Sequence, residues 1–100
     1  MTTITPKQRA RLRGMCHALG PSLWIGKDGV TEATIEHLDG LLESSELVKV
    51  RVQPTCPGGR QRVAETVSRE TGAAVVVQQG RVVVFYRRSQ RTPHIDLEQP

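Results

Sequence analysis

The residues best suited to chemistry lie in Trp24-Ile25-Gly26-Lys27-Asp28-Gly29-Val30-Thr31, where an apolar run breaks into a Gly-x-x-Gly loop carrying a lysine. The chemistry is anion binding. Gly26 and Gly29 lack the Cβ atoms that keep a ligand off the main chain, and Lys27 supplies positive charge. Behind them Thr31 signals a helix start, whose unpaired N–H groups and dipole also favour an anion. The spacing fits neither Gly-x-x-x-x-Gly-Lys-Ser/Thr nor Gly-x-Gly-x-x-Gly, which disfavours a mononucleotide or dinucleotide cofactor. A phosphate in a polymer backbone remains. Asp28 is kept with Gly26, Lys27 and Gly29 among the candidate binding residues, although its negative charge speaks against direct contact and suits it to hold the loop or cap the helix. A ligand-free strand-to-helix turn is the alternative reading of the two glycines.

The charge pattern favours the polymer. Net charge is +4 over 100 residues, and its segregation says more than its sum. Residues 1–27 carry Lys7, Arg9, Arg11, Arg13 and Lys27 without an acid, whereas residues 28–46 carry Asp28, Glu32, Glu36, Asp39, Glu43 and Glu46 without a base. From Lys49 to Arg91 bases again dominate, with only Glu65 and Glu70 against them. One strongly positive side and one acidic side are expected, the electrostatic footprint of a nucleic-acid binder.

Other classes fare worse. Cys16 and Cys56 have no C-x-x-C spacing, and His17, His37 and His94 have no pairing spacing, so neither a metal site nor a nucleophile with its base is assembled. No enzyme activity, cofactor or metal is expected. The start of the chain lacks the apolar stretch of a secretory signal, and no run approaches the roughly 20 apolar residues that span a bilayer, so a cytoplasmic, reduced protein is expected.

These residues must be positioned by the elements around them. Thr5 and Pro6 open a helix over Lys7–Leu19 with Leu12, Met15, Cys16 and Leu19 on its apolar stripe, ended by Gly20-Pro21. Lys7 and Arg11 form one basic pair beside that stripe, and Arg9 and Arg13 another on the opposite flank. A short strand over Ser22–Ile25 runs into the loop. Thr31 caps a second helix, with Val30 and Ile35 as its staple and Leu38, Leu41 and Leu42 inward. Glu32, Glu36, Asp39 and Glu43 form its solvated stripe, facing away from any nucleic acid. In Leu47–Val52 the alternation sends Val48, Val50 and Val52 to one side, Lys49 and Arg51 to the other. A third helix over Arg60–Thr71 buries Val63, Ala64 and Val67 and stops at Gly72, with Glu65 and Arg69 paired on its surface. Ala73–Gln78 and Arg81–Arg87 form a hairpin around Gln79-Gly80, the second strand being central. One domain over residues 1–88 and a mobile tail over 89–100 are expected. The order helix-strand-helix-strand-helix-strand-strand predicts an α/β fold, a mixed sheet with three helices, arranged as one sheet and one helical layer.

With the elements placed, residues 5 to about 88 resemble the CRM domain, the RNA-binding module of chloroplast splicing factors and small bacterial YhbY-like proteins. The carriers are the Trp24–Thr31 stretch, Glu46-Leu47-Val48-Lys49-Val50, Thr71-Gly72-Ala73, Gly80 and Tyr86-Arg87. The resemblance implies a four-stranded mixed sheet similar to the C-terminal domain of a bacterial translation initiation factor. It also implies association with large ribosomal subunit precursors and a role in ribosome assembly. The family's Gly-x-x-Gly loop falls on Gly26–Gly29, with Lys27 where a basic residue is usual. Pro57-Gly58-Gly59 and Gln79 depart from the family pattern, and neither touches the loop.

Trp24, Phe85 and Tyr86 lie in strands, where core packing is their expected role, so recognition of the RNA backbone is expected over base stacking. Gly26 and Gly29 admit the phosphate, Lys27 neutralises it, and Lys7, Arg11, Arg13, Lys49 and Arg51 extend a positive path, with Arg87, Arg88 and Arg91 adding contacts from the tail. The expected partner is ribosomal RNA, with ribosomal proteins as possible further partners and neither DNA nor membrane. The rival reading is a protein-interaction module that docks basic ribosomal proteins through its acidic helix.

Overall fold

The computed structural model describes residues 2–97 and runs α1 (Pro6–Cys16), β1 (Leu23–Ile25), α2 (Glu32–Ser45), β2 (Leu47–Val52), α3 (Gly59–Thr71), β3 (Ala74–Gln79) and β4 (Val82–Tyr86). The strands make one mixed sheet in the order β1-β2-β4-β3, with β1 parallel to β2 and β4 antiparallel to both its neighbours. The α/β class, the element order and the central place of β4 match the expectation from sequence.

Alternation along the strands divides the interior in two. On β4, Val83 and Phe85 join Leu38, Leu42, Val63 and Val67 of α2 and α3, whereas Val84 and Tyr86 join Leu12 and Cys16 of α1. The expectation of one helical layer is therefore corrected, because helices cover both faces. The reason is topological. The β1-to-β2 and β2-to-β3 connections advance across the sheet in the same direction, so crossovers of one handedness place α2 and α3 on the same side. α1 precedes the first strand, escapes that constraint and packs on the opposite face over β3.

Local signals set the helix ends. Thr5 Oγ1 accepts the Gln8 N–H at 3.1 Å while Gln8 Oε1 accepts the Thr5 N–H at 2.8 Å, and Thr31 and Thr34 make the same reciprocal pair on α2. Val30 and Ile35 pack against the α2–α3 core, as a staple requires. α1 stops at Cys16 rather than Leu19, and the Leu19 N–H turns back to the Cys16 carbonyl at 3.0 Å. Met15 is consequently 40% exposed and lies off the buried stripe. α3 buries Val63, Ala64 and Val67 and ends on Gly72. Its Arg69 pairs with Glu70 rather than with Glu65, which accepts from Gln61. The β3–β4 turn is Gly80-Arg81, one residue later than expected, because Gln79 already pairs with Val82.

The expected mobile tail extends over 89–100; its described part, residues 89–97, is tied to the body. Glu46 is fully buried, and its carboxylate accepts the N–H groups of Ser89, His94 and Ile95 at 2.7, 2.8 and 2.7 Å. Glu43 accepts the Ser89 hydroxyl at 2.8 Å and the N–H groups of Gln90 and Arg91. Ile95 and Leu97 pack against the α1 cluster. The acidic stripe of α2 is thus only partly solvated: Glu32 and Glu36 are exposed, while Glu43 holds the tail and Asp39 accepts from Arg87 at 2.7 Å. Residues 98–100 lie outside the described residues. No helix among the described residues is long and apolar enough to cross a membrane.

Candidate nucleic-acid interface

The turn that carries Lys27 is built by its glycines and its neighbours. Leu23 and Ile25 of β1 enter the α2–α3 core, and the chain then reverses through Gly26–Gly29, closed by the Gly29 N–H on the Gly26 carbonyl at 2.9 Å. Gly29 sits at φ +66°, a conformation that an L side chain adopts only with strain. Gly26 is required less strictly. A Cβ there would meet Gln53 Oε1 at 2.5 Å, the far end of a flexible side chain. The Gln53 amide therefore already lies against the main chain that the sequence leaves open for a phosphate, and nothing in the chain's local pattern points to it. Lys27 and Asp28, at the two corners, are exposed.

Trp24 is the principal correction to the sequence reading. It is 57% exposed, not part of the core, whereas Phe85 and Tyr86 are buried as expected. Its partner across the parallel pair is Arg51, whose guanidinium carbon lies 5.4 Å from the indole ring centroid, within cation–π range. The signal was available in the alternation of Leu23-Trp24-Ile25, since two apolar side chains facing the core turn the middle one away. A place in a strand does not bury Trp24, because β1 is the sheet edge and α1 packs over β3 at the other edge.

The outer sheet face continues from this pair. The register aligns Trp24, Arg51, Val82 and Gln79 across the four strands, and Lys49, two residues before Arg51, stands on the same side. Lys49 and Arg13 line one 270 Å³ groove with Cys16, His17, Gln79 and Val82. Cations on two elements are therefore brought together: Arg13 from the last turn of α1, and Lys49 and Arg51 from β2. Lys49 is also engaged structurally, its ammonium donating to the Cys16 and Leu19 carbonyls at 3.3 and 3.0 Å where α1 ends.

The remaining basic residues separate. Arg9 donates to the Val75 carbonyl. Lys7 and Arg11 are exposed on the far flank of α1 by helical spacing. Arg87 points to the helical side, held by Asp39 and by the Thr71 carbonyl at 2.8 Å, so it does not join the others; Arg88 and Arg91 are exposed. Glu32, Glu36, Asp39 and Glu70 line a separate 380 Å³ groove between α2 and α3, on the opposite side of the sheet from Trp24.

The thiols are buried. Cys56 is pushed up by burial; Cys16 is also raised by burial, against the downward pull of Lys49 and Arg13. Both are thus shifted away from the nucleophilic thiolate. Among the described residues no three His, Cys, Asp or Glu side chains gather as metal ligands.

A family model described as the CRS1 / YhbY (CRM) domain matches residues 4–87. An RNA-binding protein of Haemophilus influenzae is 36% identical over 90 residues, covering 90% of this chain and 91% of that one. YqeI of Bacillus subtilis, a probable RNA-binding protein by name, is 33% identical over 94 residues, 94% of this chain and 98% of its own. The solution structure of a Staphylococcus aureus protein, proposed there to bind RNA, superposes with a TM-score of 0.78 at 35% identity, covering 94% and 98% of the two chains. The family match takes in the 26–29 turn, the whole sheet and all three helices, and the chain belongs to the CRS1 / YhbY (CRM) domain family.

Proposed function

We propose that this protein binds RNA through the 26–29 turn and the basic outer face of its sheet, and that it acts without catalysis in the cytoplasm on precursors of the large ribosomal subunit. The observation that carries the RNA reading is the shared placement of Arg13, Lys49 and Arg51 on the sheet face that also bears Trp24, with the acidic groove on the other. A chain of cations neutralises successive phosphates and reads little sequence. The names of the relatives and the shared family support the same partner. Ribosomal RNA as the target rests on the resemblance in Trp24–Thr31 and its companion motifs. Gly26–Gly29 hold Lys27 forward at the edge of this surface, and Asp28 beside it stays out of phosphate contact.

Ultraviolet crosslinking in cells, followed by sequencing of the bound RNA, tests both levels. The expected result is enrichment of large-subunit ribosomal RNA, including unprocessed ends, that disappears in a Gly26→Asp/Lys27→Glu variant. Scattered RNA unaffected by the variant would overturn the proposal. The α2–α3 groove favours one second reading, a dock for a basic segment of a ribosomal protein. Reversing Glu32 and Glu36 separates the two, because that change leaves RNA binding intact and abolishes only protein docking.

A further inference from the structure

Trp24 is the chain's single tryptophan, and with Met15 it is one of two large apolar side chains exposed among the described residues. A tryptophan ordinarily contributes through the large area it buries, and this one is left mostly in solvent on an edge strand. It is held there by structure on both sides. Leu23 and Ile25 anchor β1 in the core, and Arg51 lies over the ring from the neighbouring strand. Three residues further on, Lys27 projects from a turn whose backbone is fixed by a hydrogen bond and by Gly29.

An exposed aromatic ring with one cation 5.4 Å from its centroid and a second, exposed cation three residues along the chain is complementary to a nucleotide rather than to a bare phosphate. We infer that Trp24 is a stacking platform for one unpaired nucleobase, with Arg51 and Lys27 taking the phosphates that flank it. This deepens the proposed RNA binding and rests on it. Recognition is then mixed: phosphates along Arg13, Lys49 and Arg51 provide salt-dependent affinity, and the stacked base requires a single-stranded segment at the turn. A base stacked on indole tolerates sequence, because each base has a π-face.

The sole tryptophan makes the test direct. A labelled single-stranded RNA of about 12 nucleotides, within the usual site sizes for such surfaces, is titrated by anisotropy while Trp24 emission is followed, alongside an abasic ribose-phosphate strand of equal length. The expected result is quenching by the RNA but not by the abasic strand. Trp24→Ala weakens RNA binding on the order of tenfold without altering abasic binding, and Trp24→Phe restores most of the loss. Circular dichroism confirms that both variants are folded. Tight RNA binding with unchanged emission, and an unchanged affinity in Trp24→Ala, would overturn the stacking platform and leave the RNA reading standing. Absence of RNA binding in the unaltered protein would overturn both.

Discussion

The carboxylate of Glu46 accepts the backbone N–H of Ile95 at 2.7 Å, tying the end of the described chain to the residue that closes α2. Glu46 adopts φ 64°, where glycine is ordinarily favoured, yet a glycine there would have no carboxylate for Ser89, His94 and Ile95. The backbone strain, about 1–3 kcal/mol, is offset by three charge-assisted bonds.

Glu46→Ala is expected to destabilise the domain by about 2 kcal/mol, since buried N–H groups are left unpaired, and to speed amide exchange at Ser89, His94 and Ile95. Glu46→Gly relieves the backbone but frees the same amides. Glu46→Gln, which keeps an acceptor oxygen, loses less than either. Hydrogen exchange resolves the three.

Acid releases the same segment. Burial raises the Glu46 carboxyl, but the N–H groups of His94, Ile95 and Ser89 together outweigh it and hold the group below its ordinary value. Glu43 is also lowered, first by the Ser89 hydroxyl and then by the Gln90 N–H. Folded values below the unfolded one mean that the unfolded chain binds more protons, so the contribution is complete above about pH 4.3 and is lost as pH falls through the folded values. Protection factors of the amides of residues 89–95, with the intrinsic pH dependence of exchange divided out, are expected to fall between pH 6 and about 3, and the fall flattens in a Glu43→Gln/Glu46→Gln double variant.

The two loop glycines are not equivalent. Gly29→Ala forces a side chain into φ +66° and is expected to lower stability by about 1–2 kcal/mol, or the midpoint by at least about 4 °C. Gly26→Ala needs only the end of Gln53 to move and is expected to change stability by about 0.5 kcal/mol or less. Thermal denaturation of the two variants provides the comparison.

Lysines on the proposed surface divide by role. Lys27→Ala is expected to weaken RNA binding and lower the slope of log affinity against log salt by about 1, with an unchanged melting temperature. Lys49→Ala is expected to lower both, because the carbonyls ending α1 lose their donor. Salt titrations paired with melting curves distinguish them.

Arg87 is expected to act in the fold. Its guanidinium joins Asp39 of α2 to the Thr71 carbonyl of α3, and Arg87→Ala should cost about 1–2 kcal/mol while leaving RNA affinity within about twofold. A tenfold loss of affinity would return Arg87 to the binding surface.

What depends on neighbours along the chain is legible in the residues alone. Thr5, Thr31 and Gly72 mark helix ends through local backbone bonds, Val48, Val50 and Val52 separate from Lys49 and Arg51 by alternation, and Gly26–Gly29 must turn between β1 and α2. Which face is covered, and by what, follows from packing between distant elements. Alternation assigns side chains to two faces without saying that α1 will lie over β3 and leave Trp24 and Arg51 in water, and no local pattern shows that Glu46 will meet Ile95 across 49 positions. Those outcomes depend on crossover topology and long-range packing, where free energy comes from surfaces that meet only once the sheet has formed.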